Sequence, residues 1–276
     1  MPETTQALEE LVARARGGDA AALESVVAAV EKDVRRLALR FLWNPQDAED
    51  AAQEILVRIV TGLEGFRGES SFRTWVYRVA CNALLSARPK AMERRALSFE
   101  QFEEDLASGL SDASGDAGAE HALLLEEIKV GCTLAMLLCL DRGHRLAYIL
   151  GEILELGHGE AAAALDIAPA AYRKRLSRAR EAINKLMLSR CGLVREENRC
   201  RCRRRVATAV ELKRVDPERL LFASSLEQAR RFPQVVGEIR RLEEARRAAA
   251  LYRSHGDAAP SRDFVAWLRE LVARSA

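Results

Sequence analysis

Three of the six cysteines, Cys191, Cys200 and Cys202, lie close together in an arginine-rich segment. Thiolates are preferred ligands of zinc and monovalent copper, and neighbouring guanidinium groups lower thiol pKa values, which favours oxidation as well. A closed zinc site needs four ligands, so the fold would have to supply a fourth. The pattern predicts a site for zinc or another thiophilic metal, or a redox sensor. The alternative is a basic, partly disordered stretch with incidental cysteines.

A second set of residues has the chemistry of single-stranded DNA binding. Residues 66–78 read FRGESSFRTWVYR, a glycine-flanked loop with an aromatic ring and a cation, followed by a helix with a polar side. Aromatic rings and guanidinium planes stack on unpaired bases, and cations and hydroxyls hold phosphates. On composition alone, a capped core helix with solvated arginines is the favoured explanation of the run.

A third set lies on one basic helix that follows a short turn. Residues 171–190 hold seven bases against one acid, Glu181. The turn Asp166-Ile167-Ala168-Pro169 separates this helix from a shorter one, as in a helix-turn-helix. Such a helix fits the major groove, where arginine reads guanine and other cations neutralise phosphates. A solvated basic face is the simpler alternative.

The elements that position these residues are predicted to be helices throughout. Hydrophobic residues make up 49% of the chain and aromatics 5%, and a mixture rich in Ala, Leu, Glu and Arg favours helices packed through aliphatic stripes. The fold class is therefore all-α. Periodicity predicts helices over residues 47–60, 72–87, 145–154, 160–165 and 170–188. It also predicts them over 217–242, with a break at Pro233, and over 261–272. The other three cysteines sit in apolar helical patterns and are interpreted as small buried side chains: Cys81, Cys132 and Cys139.

Charge segregation divides the chain. Residues 96–120 hold seven acids and no Lys or Arg, and their Gly, Ser and Asp content predicts a flexible acidic linker. We place domains at 1–95 and 121–190 on either side of it, and a helical extension at 191–276. No apolar run is long enough to span a bilayer, and the start of the chain is polar, so we expect a cytoplasmic protein.

Residues 47–78 closely resemble region 2 of extracytoplasmic-function sigma factors, in the DAED start of one helix, the Gln-Glu pair and the FRGESSFRTW run. The resemblance implies a helix that docks on the β′ clamp helices of RNA polymerase through Asp50, Gln53, Glu54 and Arg58. It implies a loop and helix that hold the −10 element of a promoter through Phe66, Arg67, Ser71, Arg73, Arg78 and Asn82. Trp75 is expected in the core.

Residues 160–180 resemble region 4 of the same family, which reads the −35 element and contacts the β flap. The residues implied in DNA contact are Tyr172, Arg173, Lys174, Arg175, Ser177 and Arg178. Asp166 replaces the usual turn glycine, Ala170-Ala171 replace Gly-Thr, and Asp141 replaces a customary proline. Asp166 is tolerable because aspartate enters left-handed turns readily. The missing threonine affects promoter affinity more than the fold.

The resemblance implies a sigma factor whose partners are core RNA polymerase and promoter DNA, with room for an anti-sigma factor, and which requires no cofactor. It covers roughly residues 5–190, and its linker would thread towards the polymerase active centre. The sequence has no P-loop, HExxH motif or GxSxG elbow, so we expect no enzymatic activity. An ordinary helix-turn-helix regulator and an anti-sigma-like scaffold are the alternatives. The extension could clamp the two DNA-binding domains together.

Overall fold

The computed structural model describes the backbone of residues 2–108, 110–111, 118–256 and 263–275, and the side chains of these ranges from residue 6 to residue 270. Across these ranges the chain forms helices and no strand, which confirms the all-α prediction. The helices are α1 Pro2–Arg16, α2 Ala20–Leu42, α3 Pro45–Gly62, α4 Phe72–Ser86, α5 Ala91–Arg94, α6 Phe99–Ala107, α7 Ala119–Leu138, α8 Arg142–Tyr148, α9 His158–Ala164, α10 Pro169–Arg190, α11 Cys202–Glu211, α12 Leu226–Arg241, α13 Glu244–Arg253 and α14 Phe264–Ser275.

Local sequence signals set the starts of the first helices. Asp19 accepts a hydrogen bond from the backbone N–H of Ala22 at the start of α2. Asn44 accepts from the N–H groups of residues 46 and 47 at the start of α3, which also has Pro45 in its first turn. Such side chains satisfy backbone donors that a helix leaves unpaired, so these boundaries follow from the residues themselves.

Helices α1 to α4 pack together around α2 and α3. Their shared core is aliphatic, with Val26, Val30, Leu37, Ile55 and Leu56 at most 1% exposed. A second group, α8 to α10, forms the predicted helix-turn-helix. Helix α9 also packs directly on α4, so the two predicted DNA-binding segments touch.

The C-terminal extension, residues 191–276, packs on both of these segments. Helices α11 and α12 lie on α7, whereas α13 contacts α10 and α14 contacts α2. The Glu127 carboxylate of α7 accepts three successive backbone N–H groups, from Leu221, Phe222 and Ala223, at 2.7–2.9 Å. The Phe222 ring meets Trp43 edge to face at 5.2 Å. The extension is therefore anchored on the rest of the chain.

Two expectations for helix positions are wrong. Helix α12 runs through Pro233, whose ring is exposed, although the proline cannot donate a backbone hydrogen bond. Its neighbours Phe232 and Val236 are buried, so tertiary packing holds the helix together across the proline. Residues 217–225 are not helical, and the extension contains two helices that were not predicted, α11 and α13.

The acidic linker is also more ordered than expected over part of its length. The Ser98 hydroxyl caps α6 by accepting from the Gln101 N–H, and the Ser98 N–H donates to the side-chain oxygen of Gln101. Phe102 and Leu106 bury the apolar side of α6, so this part of the linker is a packed helix. Residues 112–117 of the linker and residues 257–262 lie outside the described residues, as do the side chains of Leu271 and Val272. Of the helices that the structure describes, none has the length and apolarity to cross a bilayer.

A buried ion-pair network joins the N-terminal segment to the helix-turn-helix. Arg145 of α8, 3% exposed, donates to Glu93 of α5 at 2.9 Å and to the backbone carbonyl of Phe41 at 2.8 Å. Arg142 donates to both oxygens of the same carboxylate at 3.1 and 2.9 Å. Burial alone would raise the pKa of Glu93, but its bonds to Arg142, Lys90 and Arg145 bring that pKa below its ordinary value.

We predict that Glu93→Gln lowers the free energy of unfolding by about 3 kcal/mol at pH 7, because it leaves the buried Arg145 without its counter-charge. A carboxylate with a lowered folded-state pKa stabilises the protein above its unfolded pKa and loses that effect as the pH falls through the folded pKa. The gap between the two proteins should therefore shrink below about pH 4. Urea denaturation at several pH values measures it. The exposed Glu218→Gln is the control, and equal stability of both variants at pH 7 would contradict the prediction.

Candidate nucleic-acid and polymerase interfaces

Helix α3 presents most of the predicted polymerase-binding residues on one exposed side. Asp50, Glu54 and Arg58 are exposed, and Arg58 donates to Glu54 at 2.5 Å one turn away. Gln53 is half-buried and donates its side-chain amide to Glu49 at 3.1 Å. Three of the four side chains are thus available to a partner.

The same three residues line a groove of about 490 Å³. Its other wall is the segment from the end of α4 to α5, which carries Arg88, Lys90 and Arg94. The α3 wall of the groove therefore carries both acidic and basic side chains, and the opposite wall carries basic ones. The floor of the groove is apolar and includes Leu42, Ile55 and Leu84. This combination of charged rim and apolar floor is suited to a protein helix.

The loop before α4 differs from expectation at Phe66. Its ring is 5% exposed and meets Phe72 edge to face at 5.4 Å and Trp75 at 5.6 Å. The prediction that Phe66 offers its ring to a DNA base is not met in this structure, because the ring completes an aromatic cluster beneath the loop. Arg67 beside it is exposed.

The predicted polar residues of α4 have different surroundings. Ser71 caps the helix by accepting from the Thr74 N–H at 3.2 Å. Arg73 is exposed and pairs with Asp33 of α2 at 2.9 Å, and Asn82 is exposed. Arg78 is half-buried and donates to the backbone carbonyl of Ala163 in α9 at 3.1 Å.

Helix α9 covers part of the α4 face. Besides the Arg78 contact, Thr74 donates to the Glu160 carboxylate of α9 at 3.3 Å. In this arrangement Arg78 is bonded within the chain. Of the arginines and the asparagine predicted to contact the −10 element, Arg67, Arg73 and Asn82 are exposed to a DNA strand.

Helix α10 presents its basic residues to solvent. Arg173, Lys174, Ser177 and Arg178 are exposed and Arg175 is half-buried. Asp166, in the turn before α10, has φ 51°, the left-handed conformation expected for it. Asp141 caps α8 by accepting a hydrogen bond from the His144 N–H at 3.0 Å. The aspartate thus starts the helix at the position where the family usually has a proline.

The position of Tyr172 contradicts the prediction that this residue contacts DNA. It is fully buried, and its hydroxyl donates to the Ala147 carbonyl at 3.3 Å. Its oxygen lies so close to Gly151 that a Cβ there would come within 2.4 Å of it. The first turn of α10 is thereby packed on the π-helical turn Ile149–Ile153, and Tyr172 offers no surface to DNA.

The three C-terminal cysteines converge with a fourth from α7. Cys132, Cys191, Cys200 and Cys202 line one cavity of about 20 Å³. Cys191 and Cys200 form a short parallel bridge, in which the Gly192 N–H donates to the Cys200 carbonyl at 3.0 Å. A Cβ at position 192 would lie 2.4 Å from that oxygen, so the bridge requires glycine. The segment is ordered, contrary to the alternative of a disordered stretch.

The prediction that arginines lower the thiol pKa values is wrong. Burial raises the pKa of Cys132, Cys191 and Cys202, and it raises that of Cys200 to about 11 despite nearby arginines. In the part of the chain that the structure describes, no group of three or more Cys, His, Asp or Glu side chains is arranged to hold a metal ion. The cluster is therefore one of protonated, shielded thiols.

Known proteins resemble the same part of the chain that carries the groove and α4. The family model described as Sigma-70 region 2 matches residues 26–93. The RNA polymerase sigma-H factor of Pseudomonas aeruginosa is 33% identical over 187 residues, which cover 65% of this chain and 93% of that protein. The ECF RNA polymerase sigma-E factor of Escherichia coli is 31% identical over 180 residues, 63% of this chain and 91% of that protein.

This chain belongs to the extracytoplasmic-function sigma factors of RNA polymerase. Such factors direct promoter-specific transcription initiation, and they need no cofactor in general. Among solved structures, that of CnrH in complex with the cytosolic domain of CnrY is 24% identical, with a TM-score of 0.45, and the match covers 64% of this chain and 94% of that chain. The relatives leave about a third of this sigma factor unmatched.

Sequence reasoning missed several residues of these interfaces. Cys132 lies 59 positions before Cys191 (191 − 132) and only the fold joins them. The basic wall of the groove and the ion pairs of Glu93 are tertiary features without a local motif. Phe66 and Tyr172 are aromatic residues of a kind that often contacts DNA. Nothing in the sequence around them indicates that they are buried.

We predict that the clustered thiols of this sigma factor react with N-ethylmaleimide far more slowly than free cysteine. At a pKa of about 11, Cys200 is roughly 100-fold less ionised at pH 8 than a free thiol. Peptide mass spectrometry of the folded protein should show labelling of Cys200 that keeps rising above pH 9. The urea-unfolded chain is the control. A folded-state rate that levels off near pH 8 would contradict the assignment.

Proposed function

We propose that this sigma factor binds core RNA polymerase through the groove beside α3 and directs it to promoters with −10 and −35 elements. The observation that carries the proposal is the exposed set Asp50, Glu54 and Arg58 on one groove wall, within the residues that match sigma-70 region 2. Gln53 would contribute at its edge. The β′ clamp helices would occupy the groove, region 4 would contact the β flap, and the complex would work in the cytoplasm. The chain acts by binding, and polymerase performs the catalysis.

Promoter reading is assigned to two helices. On α10, Arg173, Lys174, Ser177 and Arg178, with Arg175 at the edge, would enter the major groove of the −35 element, where guanidinium groups read guanine and the other groups hold phosphates. On α4 and the loop before it, Arg67, Arg73 and Asn82 would hold the melted −10 strand, with Ser71 fixing the helix start. Arg78 would join them once α9 has moved away.

Promoter binding on these terms requires the chain to open. The centres of the two promoter elements are about 25 base pairs apart, or roughly 85 Å at 3.4 Å per pair. In this structure α9, which precedes the −35 reading helix, packs on α4, which reads the −10 element. The arrangement described here is thus a closed form, and the acidic linker must extend and enter the polymerase in the open one.

The extension is proposed to stabilise the closed form, in place of or beside a separate anti-sigma factor. Tyr252 of α13 donates to the Thr133 carbonyl of α7 at 2.9 Å, and Phe222 packs on Trp43 of the N-terminal segment. Arg269 of α14 pairs with Glu24 of α2 at 2.8 Å. These contacts tie one appendage to both DNA-binding segments.

For the cysteines we propose a thiophilic ion, zinc among them, only as a ligand of a rearranged cluster, because the described side chains are not arranged to hold a metal ion. Cys132 lines the same cavity and would be the fourth thiol of such a site. Binding would have to displace buried thiol protons and move the sulfur atoms, so occupancy should rise with pH.

A reconstitution with core polymerase and mapped transcription starts tests the main proposal. We expect Glu54→Lys to lower core affinity at least tenfold, because it puts a like charge opposite the basic groove wall. We expect Arg173→Ala to keep core affinity and to lower transcription about 10- to 100-fold at promoters with a −35 element, the usual effect of losing one base contact.

Two exposed positions outside both surfaces supply controls: Glu218→Lys for the charge reversal and Lys185→Ala for the same helix as Arg173. If the unaltered chain binds duplex DNA but neither core polymerase nor a promoter start, the sigma proposal fails and a simple helix-turn-helix regulator replaces it.

A chain that ends at Gly256, and so lacks α14, tests the regulatory part. It loses the Arg269 ion pair and the burial of Phe264 and Leu268. A loss of one or two kcal/mol from the closed form should raise transcription about five- to thirtyfold at equal core concentration. Arg269→Lys, which keeps the charge, should stay near the intact chain. Equal transcription by the intact and shortened chains would refute the clamp.

A further inference from the structure

The best-defined contact between the extension and the acidic linker is made by α11 and the turn after it. Asp105 of the linker helix α6 receives a hydrogen bond from Arg205 at 2.9 Å and a bidentate pair from Arg214 at 2.7–2.8 Å. Arg205 also donates to the carbonyls of Asp105 and Ser108 at 2.7 and 2.6 Å, which are at the C-terminal end of α6.

Arg205 is 7% exposed, so its charge depends on these partners. Burial of the Asp105 carboxylate would raise its pKa, but the bonds to Arg214 and Arg205 bring that pKa below its ordinary value. The Asp105 carboxylate is thus ionised at neutral pH. The pairing is of the geometry that arginine makes with carboxylates when it binds them specifically.

The contact continues beyond α6. Ser111 donates its backbone N–H to the carbonyl of Arg204 at 3.0 Å, and the Arg204 side chain donates to the Ser111 carbonyl at 3.1 Å. Two residues from separate parts of the chain are thus joined by one backbone and one side-chain hydrogen bond. On the other side of α6, Arg190 of α10 pairs with Glu103 at 2.6 Å.

We propose that α11 and Arg214 form a linker-binding surface, which holds the acidic linker against the extension and keeps it out of the polymerase until the holoenzyme assembles. The occupant is set by charge: residues 96–120 hold seven acids and no base, and the surface that meets them carries arginines. This inference rests on the proposed entry of the linker into the polymerase. Arg205 and Arg214 would then compete with the polymerase for the Asp105 carboxylate.

The reactivity of the four clustered cysteines can report the release of the linker from the extension. Leu106 of α6, 3% exposed, forms part of the wall of the four-thiol cavity, next to Arg205. When α6 leaves, that wall leaves with it, and the thiols of Cys132, Cys191, Cys200 and Cys202 gain access to solvent. Cys81 of α4 is fully buried, does not line this cavity and serves as an internal reference.

The experiment is maleimide labelling of the full-length protein, resolved by peptide mass spectrometry, with and without core polymerase. We expect saturating core to speed labelling of the four clustered cysteines at least tenfold while the Cys81 rate is unchanged. Core binding is measured in parallel by co-purification. No binding of core would count against the proposed sigma function itself. Binding with unchanged labelling of the cluster would overturn the linker-binding surface alone.

A point variant tests the contact in the free protein. Arg214→Ala removes a half-exposed partner of Asp105 and leaves Arg205 in place, so we expect a folded protein with labelling of the cluster raised at least threefold. Arg195→Ala is matched to it, since Arg195 makes a bidentate pair with Glu244 inside the extension. Equal effects of the two variants, or none from Arg214→Ala in a protein with unchanged helix content, would overturn the proposal.

Discussion

The buried guanidinium of Arg145 organises the junction of the molecule. Its nitrogens reach the Glu93 carboxylate and the backbone carbonyls of Phe41, Leu137 and Leu140, at distances from 2.8 to 3.0 Å. The ends of α2 and α7 and the short helix α5 therefore meet at one cation. Carbonyls at helix ends have no partner within their own helix, and a cation that satisfies several of them fixes the angles between the helices.

From this junction the other interfaces follow. With α8 fixed against α2 and α5, the helix-turn-helix lies over α4, and α9 takes the carbonyl and carboxylate contacts to Arg78 and Thr74. Helix α7 then has one side free, and the extension covers it through Glu127, Thr133 and the thiol cluster. The Glu93 carboxylate lies on α5 between Lys90 and Arg94, which line the groove beside α3. A protein bound in the groove thus contacts the segment that carries one half of the junction.

The sequence was sufficient for the features that are local. Helix starts at Asp19, Asn44 and Ser71 follow from side chains that satisfy their own backbone, and the apolar period locates the buried sides of α2, α3 and α10. Region 2 and region 4 motifs led to the family, which the relatives confirm.

The predictions that were wrong concern features that depend on contacts between residues far apart in the sequence. Phe66 and Tyr172 were expected at DNA because aromatic rings serve both bases and cores, and only the neighbouring elements decide which. Cys132 was expected to be a simple buried side chain, yet it lies with three cysteines from the extension. Arginines around those cysteines were expected to ionise them, but desolvation has the larger effect in so small a cavity. The linker was judged by its composition, which conceals the short amphipathic helix around Phe102 and Leu106.

The packing of α9 on α4 has a consequence for how many copies of the sigma factor a cell can tolerate. In the closed form proposed above, Arg78 is bonded to Ala163, and the apparent affinity of such a copy for promoter DNA would fall in proportion to the fraction of copies that is open. On that proposal, surplus molecules would stay off the chromosome and would not occupy promoters that they cannot transcribe. Output would then follow the number of holoenzymes formed, because free copies would not compete with them for promoters.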